Sequence, residues 1–150
     1  MNFDKFTQKS VECVQNAQNI ALENGNQQIT SLHLLLALAN DHDGLIWQIL
    51  KDINVNTQKF EQDLQNAISA IAKISPLDTA YLSNEANTIL TFAQQIANNM
   101  KDEYVSVEHI FLAIFEKADK KTLLLMEQNN ITKNAFVKKL ASVRGNTRVT

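Results

Sequence analysis

Apolar residues fall into helical register eight times along the chain, and the eight registers form two sets of four. After Thr7, a good N-cap, Val11, Val14, Ala17, Ala21 and Leu22 keep to one helical face until Gly25, a natural C-terminal stop. Thr30 caps a short, strongly apolar helix through Leu38. A third helix runs from about Gly44 to Asp52, and Asn56 caps a fourth with Phe60, Leu64, Ala67, Ile68 and Ile71 along its inner face. The periodicity stops between Ala72 and Ala80, where Pro76 disfavours an α conformation at Ser75. It then restarts. Ser83 caps a long helix carrying Ala86, Ile89, Leu90, Ala93, Ile96, Ala97 and Met100, and Ser106 caps the apolar run VEHIFLAIF. Lys121 to Gln128 makes the seventh helix, and Thr132 caps the eighth, with Ala135, Phe136 and Leu140 inward.

A single offset of 76 positions, without a gap, lays the second set on the first. It puts Thr7 on Ser83, Ala17 on Ala93, Ile20 on Ile96, His33 on His109, Leu36 on Leu112, Phe60 on Phe136 and Leu64 on Leu140. Self-similarity at fixed offset marks a repeated supersecondary unit, and two copies make a pseudo-twofold pair rather than a solenoid. A four-helix copy of this size is marginal alone, so the two are expected to share one core. The predicted fold is all-α: a single domain over 1–145, with repeat one at about 6–72 and repeat two at about 82–143. The segments ITSLHLLLALAN and VSVEHIFLAIFE are so uniformly apolar that each predicts a helix buried nearly all round, at the centre of its repeat.

Composition agrees with helices. Of 150 residues 45% are hydrophobic and 20% charged, with one proline and three glycines. Fourteen basic against sixteen acidic residues leave a formal charge of −2, which gives no electrostatic footprint for nucleic acid. Lys133, Lys138, Lys139, Arg144 and Arg148 near the C-terminus read as a solvated helix face. A lone cysteine, Cys13, allows no intrachain disulfide, and its core-like neighbours Val14 and Ala17 predict a small buried hydrophobe. No apolar run approaches the length of a membrane span and the N-terminus has no signal-like apolar region, so a cytoplasmic location is expected.

Familiar catalytic patterns are missing. With Gly25, Gly44 and Gly145 as the only glycines there is no phosphate-cradling loop, and His33, His42 and His109 show no metal-ligand spacing. No cofactor and no metal are expected for the domain. His33 and His109 each stand three residues after a hydroxyl cap, where a neutral imidazole can accept from the cap's backbone N–H as Glu does in a capping box.

Taken in order, FTQKSVECVQNAQNIAL, NQQITSLHLLLAL, the duplication, YVSVEHIFLAIFE and the closing VRGNTRVT resemble the N-terminal domain of the ClpB-type protein disaggregases. The resemblance implies a non-catalytic domain that binds unfolded or aggregated polypeptide weakly through an apolar groove. It also implies a hexameric AAA+ motor, beyond the C-terminus, that uses ATP and Mg, with residues 146–150 beginning the linker to it. It assigns Thr7, Asp102 and Glu108 to polar positions associated with substrate handling, and Phe92, Ile96 and His109 to positions lining the groove. His109 is a departure, since the relatives carry an aliphatic residue there. Phe92 has Asn16 as its counterpart in repeat one, so this aromatic belongs to one copy only. Two or three apolar side chains buried in a groove predict affinities no better than about micromolar. As an isolated domain a monomer is expected.

Three other readings compete. A ClpC- or ClpA-type protease unfoldase would use the same fold to take adaptors or marked substrates. Its phosphoarginine pockets need an acidic residue before the histidine in both repeats, and here the pairs are Leu32-His33 and Glu108-His109. A small hydrolase or metal enzyme would draw on Asp102, Glu103, Glu108 and His109, but carboxylates at a helix start are favoured by the macrodipole in any case. A stand-alone helical interaction module would carry no motor.

Overall fold

The computed structural model describes residues 1–145 and 147–150; Asn146, the first residue of the expected linker, lies outside the described residues. Repeat one contains α1 (Gln8–Glu23), β1 (Gln28–Ile29), α2 (Ser31–Ala39), α3 (Leu45–Asp52) and α4 (Thr57–Ser69). Repeat two contains β2 (Tyr81–Leu82), α5 (Asn84–Asn99), α6 (Val107–Lys117), α7 (Lys120–Gln128) and α8 (Lys133–Arg144). The hydroxyl caps act as their sequence positions predict: Thr7, Thr30, Ser83 and Thr132 each accept a backbone N–H from the first turn of the following helix. α7 starts one residue earlier than the periodicity indicates because Asp119, a stronger cap, accepts from Thr122 N–H.

All nine residues of α2 are buried, as are Glu108 through Ile114 of α6, so these two helices form the middle of the domain. α1 and α4 pack on α2, and α5 lies along α6. Phe111 stacks on Phe136 at 4.4 Å between centroids, which fixes α8 on α6.

What the helical pattern does not announce is the clasp between the repeats. β1 and β2 pair in parallel, Ile29 opposite Leu82, and an isolated parallel bridge joins Phe6 to Val105. Leu82 is the counterpart of Phe6, and Val105 that of Ile29, so each contact is the other with the repeats exchanged. The same exchange relates Ser83 N–H to Ile29 O (3.0 Å) and Thr7 N–H to Val105 O (2.9 Å). These reciprocal bonds make the pseudo-twofold axis a physical interface. Strands this short carry no propensity signal and exist because the opposite repeat supplies their partner.

One side of that interface carries an additional clamp. Glu85, in the first turn of α5, accepts from Ser31 N–H at 2.9 Å, from Ser31 Oγ at 2.8 Å and from Asp119 N–H at 2.7 Å, tying the starts of α2, α5 and α7 together. Ser31 Oγ also meets Thr122 Oγ1 at 2.7 Å. In the exchanged position stand Lys9, Val107, Asp43 and Ile46, which cannot build this lattice, and a cleft of about 430 Å³ opens there instead. Lys9 reaches only Asp41, at 3.9 Å on the surface. Replacing Glu85 with Gln, which keeps the shape but removes the charge and one acceptor, is expected to cost about 1–2 kcal/mol of unfolding free energy in urea. Lys9→Gln is expected to cost less than about 0.5 kcal/mol; equal losses at both positions would refute the clamp.

Candidate functional site

Three of the six residues singled out from the sequence meet in one buried network. Asp102 follows α5 in the turn to α6, and its side chain is fully buried. Its Oδ2 accepts from His109 Nε2–H at 2.7 Å, while Oδ1 accepts from Arg144 of α8 at 2.6 Å and from Val149 N–H at 2.9 Å. His109 Nδ1 accepts from Ser106 N–H at 2.9 Å, so this ring closes the capping box and places its proton on Nε2, toward Asp102. Glu108 is buried between the Ser106 hydroxyl, which donates to it, and Arg144 NH1 at 3.9 Å. Burial acts to raise the Asp102 pKa, but hydrogen bonds from Arg144, Val149 and His109, with the Arg144 charge, hold it at about 2. The Asp102 hydrogen bond and charge in turn push the Arg144 pKa up against its own desolvation.

Repeat one builds the same frame without charge. His33 Nδ1 accepts from Thr30 N–H at 2.9 Å, and Nε2–H donates to Asn26 Oδ1 at 3.0 Å. Asn26, Leu32 and Ile68 occupy the places of Asp102, Glu108 and Arg144. Burial lowers the His33 pKa to about 4.

Ser106, His109 and Asp102 therefore stand in the order of a catalytic triad, but the geometry serves another purpose. His109 Nδ1 is taken by a backbone N–H, the Ser106 hydroxyl lies 3.4 Å away and donates to Glu108, and all three residues are buried. Burial pushes the Cys13 thiol up to about 12, which leaves it no thiolate character. Among the described residues no three of His, Cys, Asp and Glu gather where they could hold a metal ion.

The remaining residues lie elsewhere. Thr7 caps α1 and is half-buried against Val105. Phe92 and Ile96 are half-buried on α5, with the Lys117 ammonium 4.8 Å from the Phe92 ring centroid. His109 is 0% exposed, so it does not line the groove that the resemblance assigns to it. An imidazole that caps α6 at Nδ1 and bonds Asp102 at Nε2 must face inward, where an aliphatic side chain would have no such tether.

The surface that Phe92 and Ile96 begin continues to Met100, one further turn along the same face of α5. There it enters a cavity of about 330 Å³ lined by Met100, Leu112, Val137, Leu140, Ala141 and Arg144, and closed on one side by Gly145, Thr147 and Arg148. Its counterpart in repeat one includes Asn24, Leu36, Gln65, Ile68 and Ser69. Met100, Val137 and Ala141 stand where repeat one has Asn24, Glu61 and Gln65, so repeat two is apolar at these three positions, while Arg144 replaces Ile68 on the wall shared with the buried network. No sequence motif singles out Met100, Val137 or Ala141 as a site. The signal was present in the repeat alignment, as positions that lose polarity in one copy without joining its core; Val137 remains 41% exposed.

Residues 5–129 match the model of the Clp repeat (R) N-terminal domain family. The chaperone protein ClpB of Clostridium perfringens is 34% identical over 155 aligned residues, which take in 99% of this chain and 18% of that protein. The chain thus spans less than a fifth of the length of the curated relatives it matches. Among solved structures, the Hsp104 N-terminal domain from Candida albicans superposes with a TM-score of 0.86 at 24% identity, over 97% of this chain and 95% of that one. A ClpV N-domain in complex with a VipB peptide gives 0.74 at 17%, over 99% and 92%.

Proposed function

Because the chain belongs to the Clp repeat (R) N-terminal domain family, we propose that it is the polypeptide-recruiting domain of a ClpB-type chaperone, non-catalytic itself. The observation that carries this reading is the loss of polarity confined to repeat two. The Phe92–Ile96–Met100 stripe leads into a cavity between α5, α6 and α8 lined by Met100, Val137 and Ala141, where the same place in repeat one carries Asn24 and Gln65. A ClpV N-domain of the same fold carries a peptide, which supports polypeptide as the ligand class. No helix among the described residues is long and apolar enough to cross a membrane. The expected hexameric ATPase, and ATP and Mg with it, belong to the proposal for the whole protein.

Binding should be weak. Two or three apolar side chains contribute roughly 1.5–3 kcal/mol each, and association costs about 4–15 kcal/mol, which places the affinity at micromolar or weaker. Weak sites become effective when several copies act on one client. The protease-unfoldase alternative draws less support, since Leu32 offers no carboxylate and that of Glu108 is engaged by Ser106 beside Arg144.

The test is an NMR titration with an unfolded, apolar-rich protein. Shifts are expected at Phe92, Ile96, Met100 and Val137. The double variant Met100→Asn, Val137→Glu, which writes repeat one's residues into repeat two, should bind about tenfold more weakly or worse. Unchanged binding by the folded double variant, or no shifts at millimolar ligand, would refute the groove.

A further inference from the structure

Beyond its buried face, the turn that follows α5 presents main-chain hydrogen-bonding groups, and the segment Thr147–Val149 occupies them. Val149 O accepts from Glu103 N–H at 2.7 Å and from Tyr104 N–H at 3.2 Å, while Val149 N–H donates to Asp102 Oδ1 at 2.9 Å. Arg144, itself bonded to Asp102, donates to Thr147 O at 2.9 Å. Every one of these bonds to the segment 147–149 uses a main-chain atom of that segment, so any residue other than proline at 149 would satisfy them. The Val149 side chain is half-buried, and Thr147 and Arg148 form a wall of the apolar cavity.

We infer that Asp102 Oδ1 and the N–H groups of Glu103 and Tyr104 form a notch for extended polypeptide main chain, and that Thr147–Val149 is its resident internal occupant, displaced when a client polypeptide binds. The notch satisfies both main-chain polar atoms of one extended residue: two converging donors take its carbonyl, and a carboxylate oxygen accepts its N–H. It adjoins the groove through Met100 and Arg144, so one extended client can place an apolar side chain in the cavity while its backbone takes the notch. Main-chain pairing does not read side chains, which suits a domain that meets many sequences. The Arg144 pairing keeps the Asp102 acceptor ionised at neutral pH; Asn26, at the same place in repeat one, instead donates its amide to Ala72 O at 3.3 Å. This inference rests on the reading of the domain as a polypeptide binder.

The experiment compares the full chain with its Val149→Pro variant, which removes the N–H that latches the segment while leaving Asp102, Glu103 and Tyr104 untouched. An unfolded, apolar-rich protein is titrated into each, with amide shifts and hydrogen exchange followed by NMR. In the native chain, binding should shift the Glu103 and Tyr104 amides and expose the Val149 amide to exchange. Val149→Pro should bind about three- to tenfold more tightly, since displacing the occupant costs it one hydrogen bond less. Shifts at Phe92, Ile96 and Met100 with Val149 still protected would overturn the notch and leave the groove standing. Equal or weaker binding by the folded Val149→Pro chain would also overturn it, and no binding by either chain would remove both readings.

Discussion

Replacing Arg144 with alanine is expected to lower the stability of the domain by about 3–5 kcal/mol, because it leaves a buried carboxylate without its cation. Asp102 has no exposed side-chain surface through which water could take over, and Glu108 would lose the same counter-charge. For a chain of this size the loss corresponds to a fall in Tm of roughly 10 °C, read by calorimetry. The internal repeat supplies a demanding control. The triple variant Asp102→Asn, Glu108→Leu, Arg144→Ile carries repeat one's own residues at these positions, packed there around an equivalent histidine. It is expected to recover most of the loss, since a buried charge cluster replaced as a whole by packed neutral groups is often neutral in stability. A triple variant as unstable as Arg144→Ala would show that the cluster is not a self-contained alternative to the neutral frame.

Acidification from pH 7 to about 4 is expected to cost about 3 kcal/mol through His33 alone. The histidine binds a proton in the unfolded chain near pH 6.5, but burial lowers its folded pKa to about 4. A depressed folded pKa means that stability is complete above 6.5 and declines as pH falls, by about 1.4 kcal/mol per unit, until the folded state also protonates near 4. His33→Gln keeps an acceptor for Thr30 N–H in the capping box and cannot titrate, so its urea midpoint should be nearly flat across this window while the native chain's falls. Parallel decline in both would refute the assignment. Asp102 acts in a separate window, since its stabilisation is complete above the unfolded value of 3.8 and is lost as pH falls through about 2. The two contributions are therefore separable by pH.

Much of this architecture is legible in the sequence. Helix starts are set by side chains next to them in the chain, so Thr7, Thr30, Ser83 and Thr132 could be placed from their neighbours alone, and both histidine capping boxes follow from a three-residue spacing. The duplication exposes which positions both copies share as core. By comparing the copies it also exposes which positions differ, and so it holds the groove's signal at Met100, Val137 and Ala141. Burial was harder to read. The resemblance places His109 on a groove surface, and only the three-dimensional frame, with Asp102 on its far nitrogen, shows that it cannot reach one.

The eight helices, the caps Thr7, Thr30, Asn56, Ser83 and Thr132, the two central apolar helices and the repeat follow from the chain alone, because helical periodicity and capping act over a few residues. What depends on groups far apart in the chain meeting comes from the three-dimensional packing. It joined Phe6 to Val105 and Ile29 to Leu82, set Glu85 on Ser31 and Asp119, enclosed Asp102 between His109 and Arg144, and laid Val149 on Glu103 and Tyr104. A carboxylate such as Asp102 or Glu85 looks the same in sequence whether solvent or a distant backbone N–H surrounds it, and its energy differs between the two by several kcal/mol. That difference is fixed by the fold's long-range closure, which no local pattern encodes.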